Sequence, residues 1–308
     1  MKKVFIDGSA GTTGLRIAER QQNRKDIQLI KLTEENRKDI NARKEALNSA
    51  DIAFLCLPDK ASIEAVSLIE NDNTVVLDTS TAHRTNDGWA YGFPELSKDH
   101  RENIKNSKRI AVPGCHASGF IALIYPLIEK GVLPKDACIS CFSLTGYSGG
   151  GKNMIAEYEA EDRNKFLDAP RQYGIAQMHK HIPEMSKICG IENAPSFIPV
   201  VADFYSGMEV TIPLFASQIN ANIEEIKAVY KEKYTGPIVK YIEDFDENGF
   251  VSANKLSFND GMEISVSGNS DRILLIARYD NLGKGASGAA IECMNIVLST
   301  EEITGLDL

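Results

Sequence analysis

Short, nearly uninterrupted apolar runs alternate with amphipathic stretches through the first third of the chain. Runs without a polar residue at every second position are typical of strands that are buried on both faces. They predict strands at residues 3–7, 27–32, 51–57, 74–78 and 109–112. The amphipathic stretches predict helices at residues 15–20 and 62–69. We therefore expect an α/β fold whose N-terminal part is a Rossmann-like, doubly wound parallel sheet.

The pattern changes after Ile128, where apolar and polar residues begin to alternate over longer segments. It predicts strands at residues 137–145, 197–201, 208–215, 262–266 and 272–279. Helices are predicted at residues 222–234 and 284–299, whereas residues 151–195 carry few strand signals. This second part is expected to be an α+β domain with a mostly antiparallel sheet. The predicted division is residues 1–115 together with 284–308 in one domain, and residues 116–283 in the other.

A glycine-rich turn directly follows the first predicted strand and precedes the first predicted helix. Its sequence is Gly8-Ser9-Ala10-Gly11-Thr12-Thr13-Gly14, with G-x-x-G-x-x-G spacing in place of the commoner G-x-G-x-x-G. In this context the backbone approaches a pyrophosphate closely, and a helix N-terminus points at it. We predict that the turn binds a dinucleotide; the alternative is a plain tight turn.

The end of the second predicted strand favours NADP over NAD. NAD-dependent enzymes usually carry an acidic residue there, which binds the ribose 2′-hydroxyl. In this chain Lys31 occupies that neighbourhood and Arg37 follows, although Glu34 and Glu35 lie close by. The prediction is that a basic side chain meets the 2′-phosphate of NADP(H). The alternative is a solvated, charged loop.

Cys115 stands where Pro113 and Gly114 end a strand and a helical pattern begins. The first turn of a helix has unpaired N–H groups and the positive end of the helix dipole. A thiol there is more readily deprotonated, and the thiolate is the nucleophilic form. We predict that Cys115 is a nucleophile; the alternative is a buried structural cysteine.

Further polar residues accompany the cysteine. Arg84 follows the strand at residues 74–78, at the edge where open α/β sheets bind ligands, and it suits a phosphate or carboxylate unless it forms a surface salt bridge. His179 and His181 lie beside an acidic residue but lack a clear third ligand, so we predict no metal site and a proton-transfer role toward the thiolate. His116 is expected to diverge from Cys115 on the helix, and His83 is expected to be solvated.

Composition limits the expected classes of binding partner and the expected cellular compartment. The chain has 308 residues, 43% of them hydrophobic, and a formal net charge of −9. An acidic protein is not expected to bind nucleic acid or an anionic membrane. No signal peptide or membrane span is expected, and the six cysteines show no metal-binding or disulfide pattern. These features predict a protein of the reducing cytoplasm.

Five segments in the right order resemble one enzyme family over nearly the whole chain. They are residues 8–14, 78–84, 113–115, 179–184 and 281–288. The chain resembles the N-acetyl-gamma-glutamyl-phosphate reductase family, in particular its shorter form, and more distantly aspartate-semialdehyde dehydrogenase. It departs from the longer members at His116, where they tend to have an aromatic residue, and at Ala117-Ser118, which replaces Pro-Thr.

The resemblance implies the NADPH-dependent reduction of N-acetyl-L-glutamyl 5-phosphate to N-acetyl-L-glutamate 5-semialdehyde and phosphate, in arginine biosynthesis. It implies a thioester on Cys115 and assigns acid–base work to His181, with His179 as the alternative. Arg84 would hold the phosphate and Lys180 a substrate carboxylate. The remaining residues implied at the cofactor are Ser80, Gly149, Gly150, Asn281 and Lys284. The first domain would bind NADP, the second would carry catalysis and assembly, and a homodimer or homotetramer is expected.

Three other functions remain open at this point. The first is the same chemistry on another acyl phosphate, as in aspartate-semialdehyde dehydrogenase. The second is a cysteine hydrolase without redox chemistry that pairs Cys115 with His181. The third is an NADP-binding sensor without catalytic activity. The glycine-rich turn argues against the hydrolase, and the combination of a helix-start cysteine with paired histidines argues against the sensor.

Overall fold

The computed structural model describes residues 1–308, which form two compact units. The first unit contains residues 1–114 and 286–306, and the second contains residues 115–285 and 307–308. The chain therefore leaves the first unit and later returns to it. Cys115 and Lys284 both lie in the second unit. Each unit is built around its own sheet.

The sheet of the first unit has six parallel strands in the order β2-β1-β3-β4-β6-β5. These are β1 (Lys2–Asp7), β2 (Ile27–Ile30), β3 (Ile52–Leu55), β4 (Val75–Asp78), β5 (Ala90–Tyr91) and β6 (Arg109–Ala111). Every residue of β3 and β4 is buried, as expected of central strands that are covered on both faces. The predicted Rossmann-like parallel sheet is confirmed.

Four helices connect these strands, and polar side chains define where two of them begin. They are α1 (Thr12–Gln21), α2 (Ile40–Ser49), α3 (Asp59–Ser67) and α4 (Lys98–Asn106). The Asp39 carboxylate accepts a hydrogen bond from the backbone of Ala42 at the start of α2, and the Ser97 hydroxyl accepts one from His100 at the start of α4. Such caps satisfy N–H groups that lack a partner within the helix.

The sheet of the second unit has seven strands in the order β11-β12-β13-β10-β7-β9-β8. They are β7 (Ser140–Gly146), β8 (Arg171–Gln172), β9 (Ser196–Ala202), β10 (Met208–Phe215), β11 (Val239–Tyr241), β12 (Met262–Gly268) and β13 (Arg272–Tyr279). The β11/β12 and β7/β9 pairs are parallel, and the other four pairs are antiparallel. The predicted mostly antiparallel sheet is also confirmed.

Helices of the second unit pack against this sheet and against one another. They are α5 (Cys115–Glu129), α6 (Gly151–Glu159), α7 (Ile182–Cys189) and α8 (Ile223–Lys233). Helix α5 is apolar around most of its circumference and is almost entirely buried, which is typical of a central helix. It contacts α7, α8, β10 and β13. Its N-terminal residue, Cys115, is therefore anchored by the core of the unit.

The last helix returns the chain to the first unit. A five-residue π-helical turn, Gly283–Ser287, leads into α9 (Gly288–Leu298). Helix α9 is buried over most of its length and joins the same core cluster as Val4, Ile52 and Leu77. π-Helical turns are rare and are frequent at functional sites. No helix of the protein combines the length and the hydropathy that crossing a membrane would require.

Candidate active site

The glycine-rich turn forms the junction between β1 and α1. Gly8 has a φ of +86°, and a Cβ atom there would collide with the carbonyl oxygen of Cys56. A Cβ atom on Gly14 would collide with the carbonyl oxygen of Gly8. The Gly11 N–H donates to that same oxygen at 2.9 Å, and α1 starts directly afterwards at Thr12. The turn is thus so compact that only glycine fits at positions 8 and 14. It leaves the start of α1 available to an anion.

A groove of about 540 Å³ opens beside this turn, within the first unit. Gly8, Ser9 and Ala10 line it on one side, and three basic residues that follow β2 line the other, namely Lys31, Arg37 and Lys38. Arg37 forms an ion pair with Glu34 at 3.0 Å, whereas Lys31 is exposed. The groove is large enough for part of a dinucleotide. Its glycine turn, helix start and basic rim fit a nicotinamide dinucleotide.

The Asp78 side chain organises the loop that follows β4. Its carboxylate, fully buried, accepts hydrogen bonds from the Ser62 hydroxyl and from the backbone and hydroxyl of Ser80, all at 2.8–2.9 Å. The His83 Nδ1 atom lies 2.6 Å from the same carboxylate, and the ring stacks on Trp89. The prediction that His83 is solvated is wrong, because this carboxylate and the indole face enclose the imidazole.

Arg84 lies in the same loop and is buried as well. Its Nε atom donates to the Val112 carbonyl at 2.9 Å and its Nη2 atom to the Thr79 carbonyl at 2.8 Å. The guanidinium therefore ties the end of β4 to the segment that follows β6. Ser80 is buried beside it, with its hydroxyl committed to Asp78. The two predicted binding residues of this loop thus lie together and are rigidly held.

Cys115 is the first residue of α5 and is partly exposed. The Tyr279 hydroxyl donates to the Cys115 carbonyl at 2.6 Å and accepts from the Gly119 N–H at 3.0 Å. It thereby bridges the two groups that a regular helix would join directly. A Cβ atom on Gly119 would lie 2.6 Å from that hydroxyl, so glycine provides the space for it. Tyr279 fixes the backbone of the cysteine from the centre of the sheet.

The segment after β13 also contacts Cys115. A Cβ atom on Gly285 would lie 3.1 Å from the Cβ atom of Cys115. The buried Asp280 side chain accepts hydrogen bonds from the backbone of Leu282 and Gly283, both at 2.7 Å, and holds this segment in its turn. The first residues of the π-helical turn are thus in contact with the start of α5 within the second unit.

The residues predicted near the cofactor in the second unit come together around Asn281. Its Nδ2 atom donates to the Ser148 hydroxyl at 3.0 Å, and its Oδ1 atom accepts from the Gly207 N–H at 2.9 Å. A Cβ atom on Gly149 would lie 3.2 Å from Asn281 Nδ2. Lys284 follows in the π-helical turn and is buried. The glycine-rich loop after β7 and the segment after β13 therefore form one surface.

Three histidines form a cluster next to the cysteine. The ring centroids of His179 and His181 are 4.8 Å apart, and each lies 5.6 Å from that of His116. His181 is buried at the N-terminus of α7, and its backbone N–H donates to the Nδ1 atom of the His179 ring at 3.2 Å. The structure thus brings the predicted histidine pair toward the start of α5, because His116 directly follows Cys115 in that helix.

Burial keeps two of these histidines neutral. Desolvation, with a smaller contribution from the nearby charge of Lys180, lowers the pKa of His179 to about 4. Desolvation lowers the pKa of His116 to about 3, with smaller contributions from His179 and Lys180. Lys180 itself is exposed. No group of three or more histidine, cysteine or acidic side chains is arranged to hold a metal ion.

Sequence reasoning missed several residues of this site. Tyr173 and Ser143 contact His116, Tyr279 holds Cys115, and Asp280 holds the π-helical turn. They come from distant strands and loops and carry no motif. A buried polar side chain inside an apolar strand, such as Ser143 in β7, is the single local signal that could have indicated one of them.

Comparison with known proteins gives matches over most of the chain. Residues 2–106 match the family model described as semialdehyde dehydrogenase, NAD binding domain. Residues 115–281 match the one described as semialdehyde dehydrogenase, dimerisation domain. The chain is 43% identical over 305 residues to proteins named N-acetyl-gamma-glutamyl-phosphate reductase from Brucella ovis and Brucella canis, covering 96% of this chain and 98% of each relative.

Solved structures with the same fold are more distant in sequence. An aspartate semialdehyde dehydrogenase II from Vibrio cholerae, complexed with ASA, has a TM-score of 0.74 at 16% identity and covers 97% of this chain and 98% of its own. The Francisella tularensis aspartate semialdehyde dehydrogenase has a TM-score of 0.73 at 16% identity, with 97% and 100% covered. These similarities establish the fold.

Proposed function

The chain is a member of the semialdehyde dehydrogenase family, within which it belongs with the N-acetyl-gamma-glutamyl-phosphate reductases, and we propose that it catalyses their reaction. The substrate is N-acetyl-L-glutamyl 5-phosphate, and the products are N-acetyl-L-glutamate 5-semialdehyde and phosphate, within arginine biosynthesis. The observation that carries the proposal is Cys115 at the first position of α5, in a chain that matches such reductases over 96% of its length.

Covalent catalysis by Cys115 divides the reduction into two easier steps. The thiolate attacks the acyl carbon, the bond from that carbon to the phosphate oxygen breaks, and phosphate leaves with the bonding electrons. The acyl group is then held on the sulfur as a thioester. A bound nicotinamide supplies the hydride that reduces it. The carbon–sulfur bond finally breaks, which releases the semialdehyde and regenerates the thiolate.

His181 is our choice for the group that moves the proton at the sulfur. It takes the thiol proton before the attack and stabilises the thiolate when the semialdehyde leaves. His179 is less suited, because burial lowers its pKa to about 4 and its Nδ1 atom already accepts a hydrogen bond from the His181 backbone N–H. Arg84 is proposed to hold the phosphate and Lys180 a substrate carboxylate, since both are cationic side chains of the loops described above.

We assign NADP binding to the first unit and catalysis to the second. The NAD binding domain of the family spans residues 2–106, so the nicotinamide dinucleotide binds at the Gly8 turn. The groove beside that turn has Lys31 and Arg37 on its rim, which favours NADP because they can pair with a 2′-phosphate. All six cysteines are free thiols, as is typical of the reducing cytoplasm, where we place the reaction.

Reversing the charge at the groove rim tests the cofactor preference. Lys31→Glu is expected to weaken NADPH binding by about 10- to 100-fold, since a charge-assisted contact to the 2′-phosphate is replaced by repulsion. NADH binding should change little. Fluorescence titration with both cofactors measures this, and Lys25→Glu, an exposed lysine that does not line the groove, serves as the control. Equal losses for NADH and NADPH would contradict an NADP-specific role.

The reverse reaction tests the proposed activity directly. The protein is mixed with N-acetyl-L-glutamate 5-semialdehyde, phosphate and NADP. The formation of reduced cofactor is followed by its absorbance at about 340 nm. Aspartate semialdehyde is the competing substrate, because the structural relatives named above are aspartate semialdehyde dehydrogenases. Turnover of the acetylated semialdehyde alone supports the proposal, and preference for aspartate semialdehyde would replace it by that alternative.

We also propose that the sheet of the second unit pairs two copies of the chain. One face of this sheet carries exposed apolar side chains on three neighbouring strands, namely Phe142 on β7, Pro213 on β10 and Leu274 on β13. Pro213 pairs directly with Leu274, and Phe142 pairs with Ile198 on β9. Contiguous apolar surface of this kind marks an interaction site, and the matched family model is described as a dimerisation domain.

A charge on this face should separate the copies. The double variant Phe142→Glu/Leu274→Glu is expected to sediment as a monomer, because two carboxylates per chain would have to be buried in the interface. Sedimentation velocity measures the change against the wild-type protein. Ile63→Glu changes a more exposed apolar residue, on α3 of the first unit, and should leave the assembly intact. A double variant that remains an oligomer would exclude this face as the interface.

A further inference from the structure

His116 is enclosed by hydrogen-bonding partners on both sides of its ring. Its Nδ1 atom lies 2.7 Å from the Ser143 hydroxyl of β7, and its Nε2 atom lies 2.6 Å from the Tyr173 hydroxyl. The imidazole is buried, and Ser143 is fully buried. These contacts form a linear chain from the sheet, through the residue next to Cys115, to a tyrosine in the loop before α7. The catalytic steps proposed above do not involve these hydrogen bonds.

The hydrogen bonds from Ser143 through His116 to Tyr173 can run in two directions, depending on which ring nitrogen of His116 carries the hydrogen. Burial lowers the pKa of His116 to about 3, so the ring is neutral near pH 7 and carries one N–H. In the first direction, Ser143 donates to Nδ1 and the Nε2–H group donates to the Tyr173 oxygen, which frees the phenolic hydrogen for another acceptor. In the second direction, Nδ1–H donates to Ser143, and the phenol donates to Nε2.

Tyr173 is placed to use a free phenolic hydrogen near the reacting sulfur. Its ring centroid lies 6.0 Å from that of His116 and 5.9 Å from that of His179. The side chain is partly exposed, so a substrate can reach it. Burial and the nearby Cys115 charge both raise the pKa of the Tyr173 hydroxyl. The phenol therefore stays protonated at neutral pH and remains a hydrogen-bond donor.

The reaction creates a demand for such a donor. When the thiolate attacks the acyl phosphate, and again when hydride adds to the thioester, the acyl oxygen gains negative charge. A preorganised donor aimed at that oxygen lowers the barrier, and its loss typically costs about 10²–10³-fold in rate. The second direction of the chain would instead present phenolic lone pairs to this oxygen and would oppose the reaction.

We propose that His116 is a positioning residue that, together with Ser143, turns the Tyr173 hydroxyl outward as a hydrogen-bond donor to the acyl oxygen on Cys115. Tyr173 is then a catalytic residue, and no proton is transferred: the hydrogen bond strengthens as the oxygen gains charge and weakens as the carbonyl re-forms. This inference rests on the proposed function, because the oxygen concerned belongs to the acyl substrate.

Paired substitutions at His116 separate positioning from packing. A glutamine places an N–H group near the position of Nε2, whereas an asparagine places its amide near that of Nδ1. Tyr173→Phe is expected to lower kcat about 10²–10³-fold with little change in KM. His116→Asn should fall to the same level, and His116→Gln should remain within about tenfold of the wild type. Tyr173→Phe/His116→Asn should be no slower than Tyr173→Phe alone, since both changes remove one interaction.

Two control measurements make the result decisive. Alkylation of Cys115 by iodoacetamide reports the thiol alone and should proceed at the wild-type rate in Tyr173→Phe. Tyr234→Phe removes another buried hydroxyl of this unit, one that donates to the Ala122 carbonyl at 2.6 Å, and should keep kcat. If Tyr173→Phe keeps kcat, or if the asparagine and glutamine variants at His116 are equally slow, the inference is overturned. A wild-type protein without reductase turnover would instead overturn the proposed function.

Discussion

Replacing Cys115 with alanine is expected to abolish turnover, with a loss of at least about 10⁴-fold, because no other group near the start of α5 can form the thioester. Cofactor binding should survive, since the glycine turn proposed to bind it belongs to the first unit, and Cys115 belongs to the second. Steady-state assays with the acetylated semialdehyde measure the first effect, and fluorescence titration with NADPH measures the second.

Cys138→Ala is the matched control for this variant. Cys138 is an exposed free thiol of the same unit, so its loss should leave the rate unchanged. Incubation of the wild-type protein with acyl phosphate in the absence of NADPH should also add the acyl mass to one peptide, the one that contains Cys115. A Cys115→Ala protein with a near-normal rate would rule out covalent catalysis by this residue.

Most strands were predictable because they carry a strong local signal, whereas β5, β8 and β11, of two or three residues each, were not predicted. Strands β3 and β4 are apolar at nearly every position, and a run of that kind has few folded alternatives to a central strand. Helix α4 was not predicted, since Ile104 is its single buried residue and no apolar stripe exists in its sequence. Helix α6 was missed in the polar stretch at residues 151–195 for the same reason, since Tyr158 is its single buried residue. Helix α7 was missed although Ile182, Met185 and Cys189 form a short buried stripe. Packing, more than local propensity, stabilises such helices.

The position of the proposed nucleophile at a helix start was predictable, and its surroundings were not. Pro113 and Gly114 mark the strand–helix junction in the sequence itself, so Cys115 could be placed at a helix start. His116 was judged by its divergence from Cys115 along the helix. That rule does not reveal which residues from elsewhere in the chain contact the His116 ring. Tyr173 lies 57 positions further along the chain, and the Tyr279 hydroxyl reaches the Cys115 carbonyl from 164 positions away.

The three-dimensional environment therefore decides what each histidine can do. Three imidazoles with centroids within 4.8–5.6 Å of one another cannot all be protonated at neutral pH without strong repulsion. Burial lowers the pKa values of His116 and His179 well below neutrality. His179 serves as a hydrogen-bond acceptor and His116 is the proposed positioning residue, which leaves His181 for proton transfer. The resemblance assigned acid–base work to His181 with His179 as the alternative, and the structure adds that His179 Nδ1 already accepts a hydrogen bond from the His181 backbone N–H.

His181→Asn is accordingly expected to lower kcat by about 10²–10⁴-fold, the usual contribution of a positioned acid–base group. Asparagine is a favourable residue at a helix N-terminus, so α7 should still form and the loss should be chemical. His179→Asn should cost much less, because a neutral ring with a pKa of about 4 and an occupied Nδ1 atom does not exchange protons near pH 7.

The pH dependence of kcat, measured between about pH 5 and 9, tests this assignment. The pH profile should change for His181→Asn and should match the wild-type profile for His179→Asn. His100→Asn, at the partly buried first turn of α4 in the first unit, controls for the substitution itself. If the larger loss follows His179→Asn, the two roles are reversed.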